Sequence, residues 1–467
     1  MSHLISRRRF LGQVNCAAIC ALPVLNTILN LNLVGRLAAA PAPGDYRALV
    51  CLFLSGGADT FNVLVPRGTS EHAEYAAVRG GIALPKNSLL PINPTGLTGL
   101  SLGLHPGLTG VQTLFEAGKA AFVTNVGTLI ERVNKNEYEN DLKRLPLNLY
   151  SHSDQVEQWH TSTADVRSVK GWAGRAADLI HDMNANNNVS MNISLTGSNI
   201  WQSGEDTLEY TVSTDGAIGL EGYDPANTDQ YSTVPLRTRA VDSQLAFQYQ
   251  HLLSQAFNTK KSAALDAYQL FNNAVDVTLP AVTFPDTYLA AQFKMIAKAI
   301  AGHTTLGHSR QTFFVEYGGW DHHDGVIGGQ AAMLPEVDGA VKAFYDCLAA
   351  LGMENSVTLF TASDFGRTLT TDNDGSDHAW GGNQFVLGGQ VKGKQIYGTY
   401  PDLYQDSVLD VGRGRLIPTT SVDQFFAEMA LWLGVAKTDL PLVLPNISRF
   451  YSITETTGNT PPMGFLL

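Results

Sequence analysis

Phe313-Phe314-Val315-Glu316-Tyr317 is a short apolar run that ends in Gly318-Gly319-Trp320-Asp321, and the pattern returns at Val357 to Thr361, which ends in Ala362-Ser363-Asp364. Between the two, Leu334, Val337, Val341, Phe344, Leu348 and Leu351 recur at spacings of three and four, the period that lays one stripe of a helix against a sheet. Strand, crossover helix and strand make a βαβ unit, which joins parallel neighbours. Ala48 to Leu54 reads the same way and runs into Ser55-Gly56-Gly57-Ala58-Asp59, as does Ala120 to Asn125, which runs into Val126-Gly127. Continuous apolar runs suit strands covered on both faces. The expected fold is therefore α/β, a central, mostly parallel sheet with helices on both faces. Parallel strands gather their carboxyl ends on one edge, where open α/β sheets place ligands. Asp59, Asp321 and Asp364 are expected to lie near one another there.

The amino terminus reads differently. Ser6-Arg7-Arg8-Arg9-Phe10-Leu11 fits the twin-arginine export pattern, residues 15 to 35 are apolar without Lys, Arg, Asp or Glu, and Ala38-Ala39-Ala40 supplies the small residues of a cleavage site. Residues 1–40 are thus expected to be a twin-arginine signal peptide and residues 41–467 a single α/β domain, periplasmic or secreted. The alternative is a membrane anchor, but Asn26, Asn30 and Asn32 make the stretch only moderately apolar. Cleavage removes four Arg and no acid, which takes the formal charge from -12 to -16. An acidic surface repels nucleic acid and anionic membranes, so no nucleic-acid partner and no stable membrane insertion are expected. Of the four cysteines only Cys51 and Cys347 remain, in a strand-like and a helix-like run. Two such residues make neither a disulfide scaffold nor a structural zinc site.

Two regions read as surface insertions. Residues near 129–150 are polar and charged, and those near 203–245 are rich in Gly, Ser, Thr and Asp with little apolar period. Thr238 to Asn273 reads as helix, a cover for the sheet.

Chemistry-bearing residues cluster at four places. Trp320-Asp321-His322-His323-Asp324-Gly325 follows a buried strand, and imidazole with carboxylate is an ordinary ligand set for zinc, manganese or iron. A solvated turn capping the next helix explains it equally well. Ser363-Asp364-Phe365-Gly366-Arg367 sets an acid at a sharp turn, with an arginine able either to hold an anionic substrate group or to pair with Asp364. Asp377-His378-Ala379-Trp380-Gly381-Gly382 offers a lone histidine before glycines. Tyr150-Ser151-His152-Ser153-Asp154 opens a helix, where a serine is either a cap or a nucleophile facing free backbone N–H groups.

Taken in order, these phrases resemble the exported bacterial family known as domain of unknown function 1501, itself similar to the alkaline phosphatase and sulfatase superfamily. The resemblance rests on Leu54-Ser55-Gly56-Gly57-Ala58-Asp59 with Asn62, Leu104-His105-Pro106 through Gly118, Ser151-His152-Ser153, Gly319-Trp320-Asp321 with His323, Ser363-Asp364-Phe365-Gly366-Arg367, Asp377-His378, and Val391-Lys392-Gly393 with Tyr397-Gly398. It implies an alkaline-phosphatase-like fold, with Asp59, Asp321, His323, Asp364 and His378 as metal ligands. Ser151 or Ser153 is implied as nucleophile, and Arg367 as an aid to the transferred group.

The departures are specific. Phe365 stands where a ligating His is expected, Ser55 where an Asp is, and no Cys-x-Pro-x-Arg phrase surrounds either remaining cysteine. The implied cofactor is one divalent ion, zinc, manganese or calcium, rather than two. The implied function is an exported metal-assisted hydrolase of a phosphate or sulfate ester, on a small molecule or glycan. The alternative is an exported binding or assembly protein that has lost the chemistry.

Overall fold

Alternation along the first strand, β1 (Arg47–Ser55), sets the layers: Ala48, Val50, Leu52 and Leu54 enter one apolar core, while Leu49, Cys51 and Phe53 enter another on the opposite face. The structure, a computed structural model, describes residues 45–454 and 461–466; the expected signal peptide lies outside the described residues. The fold unit runs from Tyr46 to Leu467.

The elements that build the site are, in chain order, β1, β2 (Ala120–Gly127), α1 (His152–Thr161), β3 (Asn192–Ser194), β4 (Arg310–Gly318), α2 (Val326–Ala350), β5 (Val357–Ser363), β6 (Arg367–Asp372), β7 (Gly375–His378), β8 (Gly382–Gly388) and α3 (Val422–Leu433). β1 lies at the centre of the main sheet, parallel to β5 on one side and β4 on the other. β3 continues the parallel run beyond β4, and Tyr210–Ser213 beyond β3. On the other side β8 pairs antiparallel with both β5 and β2, so the sheet is mostly parallel with one reversed strand inside it.

Helices cover both faces. Leu334, Val337, Val341, Phe344 and Leu348 of α2 join the first core, as the sequence periodicity predicts, and Phe425, Phe426, Met429 and Leu433 of α3 join the second. Cys51 and Cys347 are both buried as free thiols, one in each core. No described helix is long and apolar enough to cross a membrane.

Two sequence expectations change in detail. The stretch predicted as one helix from Thr238 to Asn273 is two helices, Val234–Ala246 and Leu252–Val275. Within 203–245, Tyr210–Ser213 and Gly216–Ala217 are not a loop excursion but extend the sheet edge. Tyr210 and Val212 pack on the first core, a contact too short to leave a period in the sequence.

Candidate metal centre

The register of the three central strands brings their carboxyl ends together. Leu54 of β1 pairs with Ser363 at the end of β5, and Ser55 with Gly318 at the end of β4. The turn after β1 then passes tightly under the turn after β4. Gly56 has φ of 116°, and a Cβ there would lie 2.6 Å from the Asp321 amide nitrogen, so only glycine fits. The Gly56 amide donates to Asp364 Oδ1 at 2.9 Å, which fixes the carboxylate beyond β5. The hairpin of β6 and β7 leans on the same place: a Cβ on Gly375 would lie 2.2 Å from the His323 backbone.

Three imidazoles converge over this edge. His152 comes from the first turn of α1, His323 from the turn after β4 and His378 from the end of β7. His152 Nε2 lies 3.1 Å from His378 Nε2, and His323 Nε2 lies 2.9 Å from the same atom. The Asp321 carboxylate is 3.1 Å from His323 Nε2 and 3.5 Å from both His152 Nε2 and His378 Nε2. His152, Asp321 and His378 form one group that could hold a metal ion, and His323, Asp377 and His378 form a second sharing His378.

The other ring nitrogens fix the tautomers. His378 Nδ1 donates to the Tyr150 carbonyl oxygen at 2.7 Å, since a carbonyl can only accept. His152 Nδ1 lies 2.7 Å from Asp364 Oδ2 and donates to that carboxylate. In the neutral state each ring therefore turns an Nε2 lone pair toward the other. A proton or a metal cation is what satisfies two lone pairs and a carboxylate at these distances.

The electrostatics follow. The hydrogen bond that His152 donates to Asp364 raises its pKa above the ordinary histidine value, against partial burial. Burial lowers that of His378, and the charges of Arg367 and His152 add to the effect. Burial pushes the Asp321 carboxyl up, but the hydrogen bond and charge of Arg367, with His152 and His323, hold it below the usual range.

The predicted residues do not all meet. Asp321, His323 and His378 lie within the cluster, and Asp364 supports it through His152. Asp59 does not join it. That buried carboxylate pairs with Arg79 and accepts from Ser376 Oγ at 2.8 Å. Arg367 is wholly buried and donates to Gly57 O at 2.6 Å, Ser376 O at 2.8 Å, Gly56 O, and Asp321 Oδ1 at 2.5 Å. Four donors of the guanidinium are thus taken by the protein, and its partner is Asp321 rather than Asp364.

Ser151 and Ser153 turn toward Asp154, with Ser151 Oγ donating to Oδ2 at 2.6 Å and Ser153 Oγ at 3.4 Å. His152, between them, is the side chain that enters the cluster, and sequence reasoning passed over it as part of a cap. Phe365, the departure in the sequence, packs its ring 4.7 Å from both His152 and His378. It is a wall against which both imidazoles pack.

A model of the family described as protein of unknown function (DUF1501) matches residues 46–442. The chain belongs to this family. No curated protein matches the sequence. Among solved structures, this DUF1501 chain is similar to Ps i-CgsB in complex with k-i-k-neocarrahexaose, at 9% identity, with 85% of this chain and 74% of that chain covered and a TM-score of 0.34. It is also similar to the PsFucS1 sulfatase from Pseudoalteromonas sp., at 12% identity, 88% and 76% coverage and a TM-score of 0.29. The soluble domain of lipooligosaccharide phosphoethanolamine transferase A from Neisseria meningitidis matches at 10% identity, 87% and 94% coverage and a TM-score of 0.25. Likeness of this degree carries no residue role across to the DUF1501 chain.

Proposed function

We propose that this is an exported, metal-assisted hydrolase of a phosphate or sulfate ester on a small molecule or glycan. The observation that carries the reading is the pair of Nε2 lone pairs on His152 and His378, aimed at each other beside the Asp321 carboxylate by fixed partners at Nδ1. His152, Asp321 and His378 would hold one divalent ion, zinc, manganese or calcium, with His323 beside them. Such an ion supplies Lewis acidity and neutralises charge that builds on the transferred group. Asp364 and the Tyr150 carbonyl each keep a proton at Nδ1 and so present Nε2 as the ligand atom. Arg367 positions Asp321 and balances its charge. The N-terminal amides of α1 offer a positive end to an anionic ester, and Ser151 at its start is the candidate nucleophile.

Turnover of model aryl phosphates and sulfates by residues 41–467, with each metal and with chelator, tests this. Metal-dependent hydrolysis that falls at least about a hundredfold in Ser151→Ala and His378→Ala supports it. Hydrolysis equal in chelator, or none with metal bound, contradicts it. The second reading, an inactive binding or assembly protein, is favoured by one observation: both serine hydroxyls turn to Asp154 rather than to the imidazoles. Bound metal without turnover would support that reading.

A further inference from the structure

A basic cleft lies where the excursion after β2 meets the carboxyl-terminal turn. Ile130, Glu131, Arg132, Lys143, Arg144 and Arg449 line a cleft of about 440 Å³. Four cations and one carboxylate in one cleft are unusual on a chain of net charge -12. The compensation is incomplete. Glu131 is engaged by Lys143 at 2.6 Å. Asp165 is shared between Arg144 at 3.7 Å and Arg449 at 3.9 Å. Arg132 is held by neutral oxygens, Thr419 O at 3.0 Å and Gln424 Oε1 at 3.1 Å, with no carboxylate in ion-pair range among the described residues. Glu131 and Asp165 offset two of the four cations, and Glu137 also acts on Lys143, which leaves about one to two positive charges in the cleft.

Two of the guanidiniums, those of Arg449 and Arg132, are also anchored. Arg449 donates to the Ile130 carbonyl at 2.9 Å, tying the far end of the chain to the root of the excursion, and Arg132 is anchored on two oxygens. Guanidiniums held in this way lose little freedom on binding, and their planar donor forks match tetrahedral oxyanions.

We infer that this cleft binds a doubly charged oxyanion, sulfate or phosphate, either free or carried on a longer anionic chain. The inference goes beyond ester hydrolysis and does not depend on it. The site shares no ligand residue with the metal centre, so it is testable in protein stripped of metal.

Calorimetric titration of chelator-treated residues 41–467 with inorganic sulfate, inorganic phosphate and dextran sulfate tests it, with Arg144→Glu and Arg449→Gln as variants. Arg144 is 65% exposed, so its reversal leaves the fold intact, and thermal melting checks this. Binding that weakens at least tenfold in both variants, and weakens as salt rises, is the expected result. Inorganic ions binding as tightly per charge as the polymer assigns a free oxyanion; a polymer at least tenfold tighter assigns an anionic chain. No binding by any of the three, or binding unchanged in folded Arg144→Glu, overturns the inference. Either result leaves the metal-dependent hydrolysis test untouched.

Discussion

The Nε2 atoms of His152 and His378 stand 3.1 Å apart, each with its Nδ1 proton already committed, one to Asp364 and the other to the Tyr150 carbonyl. Two imidazoles set this way could share one cation, a proton or a metal ion, between their Nε2 atoms. Their spacing depends on α1 and β7, which are more than 200 residues apart in the chain, and on the Phe365 ring packed against both.

Asp364 reaches the centre only through His152, so Asp364→Asn tests the support rather than the ligands. The asparagine can still accept the Gly56 N–H but no longer carries the charge that orients the imidazole. Divalent metal affinity, measured by competition with a chelating dye, is expected to fall about 10–100-fold with the fold intact. An unchanged affinity would show that His152 needs no such partner.

Arg367 binds three backbone carbonyls and Asp321 from a fully buried position. Arg367→Ala leaves those carbonyls unpartnered and is expected to cost about 3–5 kcal/mol in urea unfolding. Arg367→Lys cannot reproduce the four-way geometry and should recover less than half of the loss. A cost below about 1 kcal/mol would place the residue among weak surface pairs.

The strands and the α2 stripe were legible because burial on both faces leaves long apolar runs, and a helix packed on one side leaves a period. Asp321, His323 and His378 were legible because each sits at the end or turn of such an element. Asp59 was misplaced by the same logic: it follows β1, but the chain turns once more and delivers it to Arg79, a partner with no signature in its neighbourhood. His152 was missed because a histidine between two serines at a helix start reads as capping. Its role depends on a contact with Asp364, 212 residues away, that only the folded sheet creates. Phe365 reads as a lost ligand in the sequence, and its packing against the His152 and His378 rings is a contact that composition cannot express.

Asp423, buried at the start of α3, has its carboxyl pushed up to about 7 by burial, against hydroxyl hydrogen bonds from Ser421 and Ser162 and the charge of Arg175. The folded state then holds its proton over a range in which the unfolded chain, titrating near about 4, has released it. The contribution to stability is full below about pH 4 and is lost as pH rises to about 7. In Asp423→Asn that slope disappears, so the difference in melting temperature between variant and parent should change from pH 4 to 7 and level off above. A difference constant with pH would mean that the carboxylate is charged in the core.

Among the described residues the buried core begins at Tyr46, whose hydroxyl donates to Gln311 Oε1 at 2.5 Å. A chain of residues 41–467 is expected to be folded by circular dichroism and to elute without aggregation in gel filtration. Aggregation of this chain, with the full-length protein behaving well, would favour an anchor or structural helix over a removable signal.

Metal occupancy with its ligand signature tests the centre most directly. Residues 41–467 are incubated with zinc or manganese, desalted, assayed by elemental analysis and examined by X-ray absorption, alongside His378→Ala. One ion per chain with at least two imidazole nitrogens in its shell, lost in His378→Ala and accompanied by a melting temperature that rises with metal concentration, is the predicted result. Metal-free protein whose melting temperature ignores both chelator and added ion would contradict it, and would leave a proton, not a metal, between His152 and His378.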